Sequence, residues 1–132
     1  MTTVIDVSAA TEILLQKEKC IKFRDILEKS SSVLAPDLYV SELANTLWKY
    51  YSRKLHTEIE CKKYIRLGIG YIDRFIDSKN IWEEAFSEGI SYKHSVYDML
   101  YMVTAKRYGE TLITNDSALT AICKKSRVEV CF

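Results

Sequence analysis

Four acids stand where alternating strands and helices could bring them together. Asp6 closes the β-branched run Thr2–Ile5. Glu42 falls early in an apolar-periodic segment that begins after Pro36 and Asp37. Asp98 follows Ser95 within an otherwise apolar stretch of Val96, Met99, Leu100, Met102, Val103 and Ala105. Asp116 comes just after Thr111–Thr114. Carboxylates gathered in one crevice repel one another, and without a counter-charge they take up protons. No Arg or Lys adjoins any of the four closely in sequence. A hard divalent cation is the natural neutraliser, and oxygen ligands with retained waters suit Mg²⁺ or Mn²⁺. Such an ion activates water and stabilises a leaving oxygen, which is the chemistry of phosphodiester hydrolysis.

Each acid also has a plainer reading. Asp6 reads equally as a turn or cap residue before the following helix. Glu42 reads as a solvated glutamate favoured by a helix dipole, although Val40, Leu43 and Ala44 put it beside the apolar stripe. Asp98 completes a Ser-x-x-Asp cap, yet an acid at the mouth of an all-apolar, buried helix needs a partner. Asp116 is a good N-cap, a task that Asn115 could perform equally well.

The elements that must position these acids follow from periodicity. Thr2–Ile5, Ser32–Ala35 and Thr111–Thr114 read as short buried strands, and Val128–Cys131 as a terminal strand. Ser8 is placed to cap a helix reaching about Leu15, and Lys19–Lys29 has helical spacing. Asp37 looks like the N-cap of a helix running to about Lys54. Thr57-x-x-Glu60 is a capping box opening a second long helix to about Ile76. The loop between these two helices is short, so they form an antiparallel hairpin. Asn80-Ile81 reads as a minimal strand, followed by a short helix through Ile90. Ser95–Tyr108, stopped by Gly109, and Ser117–Lys125 complete the helices. Short apolar strands alternating with helices predict an α/β fold, a short central parallel sheet with helices on both faces. The ligand crevice of such a sheet lies at the carboxyl ends of its strands.

Composition narrows the rest. At 132 residues the chain is read as one domain, long enough to bury a core without a disulfide or zinc staple. One proline and four glycines are too few for a hairpin-rich all-β barrel. The net charge of +1 gives no global basic field, so nucleic-acid binding would need a local patch. Four cysteines without a C-x-x-C pair, and only two histidines, argue against structural zinc. The opening residues meet a charge at Asp6 and do not read as a signal peptide; no apolar run reaches membrane length. The chain is therefore read as cytoplasmic, with reduced thiols and no membrane partner.

In this order the motifs resemble those of the PIN-domain ribonucleases, and among them the small VapC-type toxins. Val4-Ile5-Asp6-Val7-Ser8 is similar to the family's opening strand with its acid and serine. Ser41-Glu42-Leu43 leading to Leu47-Trp48 is similar to the second motif. Tyr97-Asp98-Met99-Leu100-Tyr101 and Thr114-Asn115-Asp116 resemble the third and fourth. The resemblance covers residues 1–132 and implies a PIN-like three-layer sandwich with a protruding helical hairpin. It implies an Mg²⁺- or Mn²⁺-dependent endoribonuclease in which Asp6, Glu42, Asp98 and Asp116 are catalytic. Asp6, Asp98 and Asp116 would hold the metal. One departure is that Ser117-Ala118-Leu119 lack the further acid that many relatives carry there.

Ser8 and Thr114 fit supporting roles, because hydroxyls orient carboxylates and waters. The alternative is that both simply bond the backbone. His94, one turn before Asp98, is read as a solvated loop histidine. Lys49, Arg53, Lys54, Lys62, Lys63 and Arg66 line the hairpin, either as a solvated face or as a phosphate-binding rim for RNA. Trp48, Tyr50, Tyr51, Tyr64 and Tyr71 crowd the same hairpin; most are expected in the core, with a surplus left for a partner. The resemblance implies that this region receives an antitoxin's segment, with Trp48, Tyr51, Lys49 and Arg53 as candidate contacts, and that subunits pair as homodimers. The competing reading is a catalytically idle PIN-like module that binds RNA or protein. A DNA nuclease of related fold is a third.

Overall fold

A computed structural model describes residues Met1–Phe132. Its five strands are β1 (Thr2–Ile5), β2 (Ser32–Pro36), β3 (Arg74–Ile76), β4 (Thr111–Ile113) and β5 (Glu129–Cys131). They form one sheet in the order β3-β2-β1-β4-β5, and every neighbouring pair is parallel. Seven helices connect them: α1 (Val7–Leu14), α2 (Cys20–Lys29), α3 (Leu38–Ser52), α4 (Glu58–Gly70), α5 (Trp82–Tyr92), α6 (Val96–Tyr108) and α7 (Ser117–Lys125).

Strand order decides where the helices go. From β1 the chain steps outward through β2 to β3, then crosses back to β4 and on to β5. Crossovers between parallel strands are right-handed, so the two directions of travel put their helices on opposite faces. Helices α1 to α4 share one face, where α1 packs on α2, α3 and α4. The other face carries α5 and α6, which pack together, and α7 against β5. Between β1 and β4 the direction of travel reverses. Such a switch point leaves a crevice at the carboxyl ends of the two strands. Ile5 is in register with Ile113, so Asp6 and Thr114 leave the sheet side by side, and the Asp6 N–H donates to the Ile113 carbonyl at 3.1 Å.

The core runs through the sheet and both helical layers. Thr3, Val4 and Ile5 are buried in the central strand. In α6 seven consecutive residues from Met99 to Ala105 are buried, because α5 covers one side and the sheet the other. The α3–α4 hairpin closes tightly at Gly68, where a Cβ would sit 2.5 Å from Leu43 Cδ2. The Tyr39 hydroxyl donates to the Gly68 carbonyl there at 2.8 Å.

Several local expectations are corrected. The second long helix stops at Gly70 instead of Ile76, and Arg74–Ile76 is a strand. The free edge of β2 offers a backbone ladder there, and the Asp73 carboxylate anchors the turn by accepting from the Val33 N–H at 2.8 Å. Asn80 lies in a 3₁₀ turn, Ser78–Asn80, and not in a strand. Asp37 makes no capping bond to its helix; its carboxylate accepts from the Ser78 N–H and hydroxyl. Asp6, not Ser8, caps α1. None of the five hairpin aromatics is buried: Trp48 and Tyr51 are exposed, and Tyr50, Tyr64 and Tyr71 are half-buried.

Candidate functional site

Asp6 sits at the end of β1 with 6% of its surface exposed. Its Oδ1 accepts from the Ser8 hydroxyl at 2.7 Å and from the Ala9 N–H at 3.0 Å, and its Oδ2 accepts from the Thr114 hydroxyl. Both plain and chemical readings of Asp6 are therefore present at once: it caps α1 and faces the crevice. Ser8 and Thr114 extend the network. The Ser8 oxygen accepts from the Asn115 N–H at 2.8 Å, and the Thr114 oxygen from the Asp116 N–H at 3.0 Å. Two hydroxyls thus tie β1, α1 and the loop after β4 into one rigid floor.

The other three acids each have one oxygen held and one left over. Glu42, half-buried on α3, accepts from the Tyr101 hydroxyl at 2.6 Å through Oε1. Asp98, in the first turn of α6, meets His94 Nε2 at 2.7 Å through Oδ2. Asp116 caps α7 through Oδ1, accepting from Ala118 and Leu119 N–H at 2.8 and 3.0 Å. Asn115 therefore does not take the cap. Glu42 Oε2, Asp98 Oδ1 and Asp116 Oδ2 have no hydrogen-bond partner in the protein. His94, expected in solvent, belongs to the margin of the site. The Ser95 hydroxyl caps α6 by accepting from the Tyr97 N–H, and Asp98 makes no bond back to the Ser95 N–H that would close the box.

All four acids open on one cavity of about 380 Å³. Burial pushes the Asp6 carboxyl up to about 6, against the hydrogen bonds from Ser8, Thr114 and Ala9 that pull it down; the charge of Asp98 adds to the rise. Burial likewise raises Glu42, the Tyr101 hydrogen bond opposes this, and Asp98 again adds to it. Burial and the Glu42 charge hold the Tyr101 phenol far above its ordinary range, so it stays a donor. Cys123 is pushed up to about 12 by burial and is a packing group, not a nucleophile.

No group of three or more His, Cys, Asp and Glu side chains is drawn tightly enough to hold an ion by protein ligands alone. An ion in this cavity would fill part of its shell with waters beside the carboxylates, the ordinary manner of holding Mg²⁺. The donor set fits that case: oxygen atoms only, three of them unengaged, with desolvation that disfavours uncompensated charge.

The same wall carries Glu12, Lys17, Thr46 and Tyr101, which the sequence reading did not select. Helical spacing could have found three of them. Glu12 lies four residues after Ser8, Thr46 four after Glu42, and Tyr101 three after Asp98, each on the face of a chosen residue. Lys17 lies beyond the end of α1, past the left-handed Gln16, where no periodicity applies. Conversely, Lys49, Arg53, Trp48 and Tyr51 are not part of the wall.

Residues 3–125 match the PIN domain. The chain is 25% identical over 121 residues to Ribonuclease VapC3 of Pyrobaculum aerophilum, an alignment spanning 90% of this chain and 92% of that protein. Its fold is similar to the crystal structure of PAE2754 from Pyrobaculum aerophilum, with a TM-score of 0.71 and 18% identity over 92% of this chain and 84% of that one.

Proposed function

Because the chain belongs to the PIN-domain family, we propose that it is a divalent-metal-dependent endoribonuclease, the toxin of a toxin–antitoxin pair acting in the cytoplasm. One observation carries the reading: acids from four separate elements, Asp6, Glu42, Asp98 and Asp116, open on a single cavity at the switch point of the sheet. A scaffold gains nothing from four like charges in one crevice. The similarity to a ribonuclease over nine-tenths of the chain supports RNA as the substrate.

Asp6, Asp98 and Asp116 are the residues that would hold Mg²⁺ or Mn²⁺. When bound, the ion supplies a Lewis acid that activates water and steadies charge on the phosphate. Ser8 and Thr114 fix both oxygens of Asp6, so its carboxylate cannot rotate away. Glu42 is placed to accept the proton of the attacking water through the oxygen that Tyr101 leaves free. Tyr101 holds Glu42 by one oxygen and leaves the other facing the cavity. Along α3 and its C-cap Arg53, the stripe Glu42, Thr46, Lys49 and Arg53 continues from the cavity outward at helical spacing, a track for RNA phosphates. The exposed Trp48 and Tyr51 receive the antitoxin, and subunits pair as a homodimer.

Cleavage of RNA by the purified chain tests the reading. It requires Mg²⁺ or Mn²⁺ and stops in excess chelator; undiminished cleavage in chelator sinks it. RNA binding with no cleavage under either metal favours the idle binding module instead.

A further inference from the structure

We propose that Glu12 is a fifth carboxylate of the divalent-cation site, a donor beyond the four-acid set; this rests on the reading of the cavity as a cation site. Glu12 stands on α1 four residues after Ser8, on the wall shared with Asp6 and Glu42. Only 7% of its surface is exposed. Yet its carboxylate makes no hydrogen bond and no ion pair within the protein. No polar side-chain atom of the chain is both sealed from solvent and unpartnered. The Glu12 oxygens must therefore keep their contact through the cavity.

The four other acids each show what a structural role looks like. Asp6 and Asp116 cap helices, Glu42 is held by Tyr101, and Asp98 meets His94. Glu12 has no such engagement, although burying a carboxylate without a donor is costly. The cation nearest at hand on the wall is Lys17, and its ammonium donates to the Tyr50 hydroxyl while lying 5.0 Å from that ring. It forms no ion pair with Glu12. What remains for Glu12 is something that enters the cavity. With five carboxylates on the wall, an entering anion is repelled and an entering cation is drawn in. Each further oxygen donor raises the affinity of such a site for a hard divalent cation.

Calorimetric titration of the full chain with Mn²⁺, without RNA, decides the matter. Glu12→Gln keeps the shape and removes the charge, and its Mn²⁺ affinity falls by about tenfold or more. Its melting temperature in chelator stays or rises, because an uncompensated charge has gone. Unchanged Mn²⁺ affinity overturns the proposal. Asp116→Asn separates the two readings: if it weakens Mn²⁺ binding and Glu12→Gln does not, Glu12 alone falls. If the unaltered chain binds no Mn²⁺, the cation reading falls and this proposal with it. Should Glu12→Gln fail to fold, carbon NMR of the unaltered chain decides. On Mg²⁺ addition the Glu12 Cδ resonance moves together with the Asp6 and Asp116 Cγ resonances, and a Glu12 signal that stays fixed while those move overturns the proposal.

Discussion

Burial holds the carboxyl groups of Asp6 and Glu42 above their ordinary range, and the charge of Asp98 pushes both the same way. Asp98→Asn removes that charge and keeps the side chain's size. Two unit charges in a partly solvated crevice repel by a few kcal/mol at most, at an effective dielectric of about 20. The unfolded chain feels almost none of this. The melting temperature in chelator should therefore stay level or rise, while RNA cleavage drops by about 10–100-fold or more because a metal-holding carboxylate is gone. The gain shrinks in Mg²⁺, which stabilises the parent by mass action. Paired melts and a cleavage assay check it; a variant less stable in chelator with cleavage intact refutes the catalytic role of Asp98. Asp6 yields a prediction in pH. Its carboxyl rises from 3.8 to about 6 on folding, so the folded chain binds that proton more tightly than the unfolded chain. Its contribution to stability is complete below about pH 4 and is lost as pH climbs through about 6. At roughly 1.4 kcal/mol per pKa unit, the loss is about 3 kcal/mol. Glu58 and Glu60, exposed and lowered by hydrogen bonds from Lys62 and His56, work in the opposite sense at lower pH. The difference between the parent and Asp6→Asn isolates the Asp6 part. Denaturant melts in chelator from pH 4 to 8 should show the parent losing stability relative to Asp6→Asn, and parallel profiles would contradict the assignment.

Helix α7 depends on Asp116 for its start, since one carboxylate oxygen takes the Ala118 and Leu119 N–H groups. The same residue turns its second oxygen to the cavity, so one side chain serves an element and a site. Two substitutions separate the tasks. Asp116→Asn keeps a good cap and loses the charge; folding stability should change by only a few tenths of a kcal/mol while Mn²⁺ affinity and cleavage fall. Asp116→Ala loses both and should cost about 1 kcal/mol of stability in addition, within a range of roughly 0.5–2. Denaturant melts beside calorimetric Mn²⁺ titration distinguish them. Full Mn²⁺ affinity in the Asn variant would leave Asp116 as a cap alone. Helix α6 illustrates the other task of an element. Its seven-residue buried run locks Tyr101 and Asp98 at fixed heights, so the donor on Glu42 and the acid one turn earlier cannot drift apart.

The α3–α4 hairpin shapes the molecule as a whole. Its near end packs into the core through Tyr39, Leu43 and Gly68, and its far end carries Trp48 at 61% and Tyr51 at 51% exposure. Leu55 and Ile59 are exposed at the same end. Substitution of a side chain this exposed ordinarily changes stability by less than about 0.5 kcal/mol. Trp48→Ala should therefore melt like the parent and yet bind a co-expressed inhibitor protein markedly less well. Hydrogen exchange gives the complementary reading: a bound inhibitor slows amides at the far end of the hairpin. Unchanged exchange there, with the inhibitor bound and active, places the interface elsewhere.

Much of this was written in the order of residues. Short apolar runs alternating with helical periodicity mark four of the five strands and the parallel sheet; β1, β2 and β4 are largely buried, and β5 is a partly exposed edge. The four acids were legible because each stands next to such an element, at a strand end or in a first helical turn. Other features needed the tertiary structure. Arg74–Ile76 became a strand because the edge of β2 was open to it, and no local pattern records an open edge. Helical periodicity from Ile59 to Ile72 ran straight into it. His94 is partly drawn out of solvent because α6 holds Asp98 at its side, and Lys17 reached the cavity only after the chain turned at Gln16. Glu12 is a helix glutamate by position, and only the packing of α1 against α2, α3 and α4 deprives it of water. A residue's type and spacing describe what it can do; whether it is deprived of water and of partners is decided by distant chain folding over it, and that deprivation sets its charge and its chemistry.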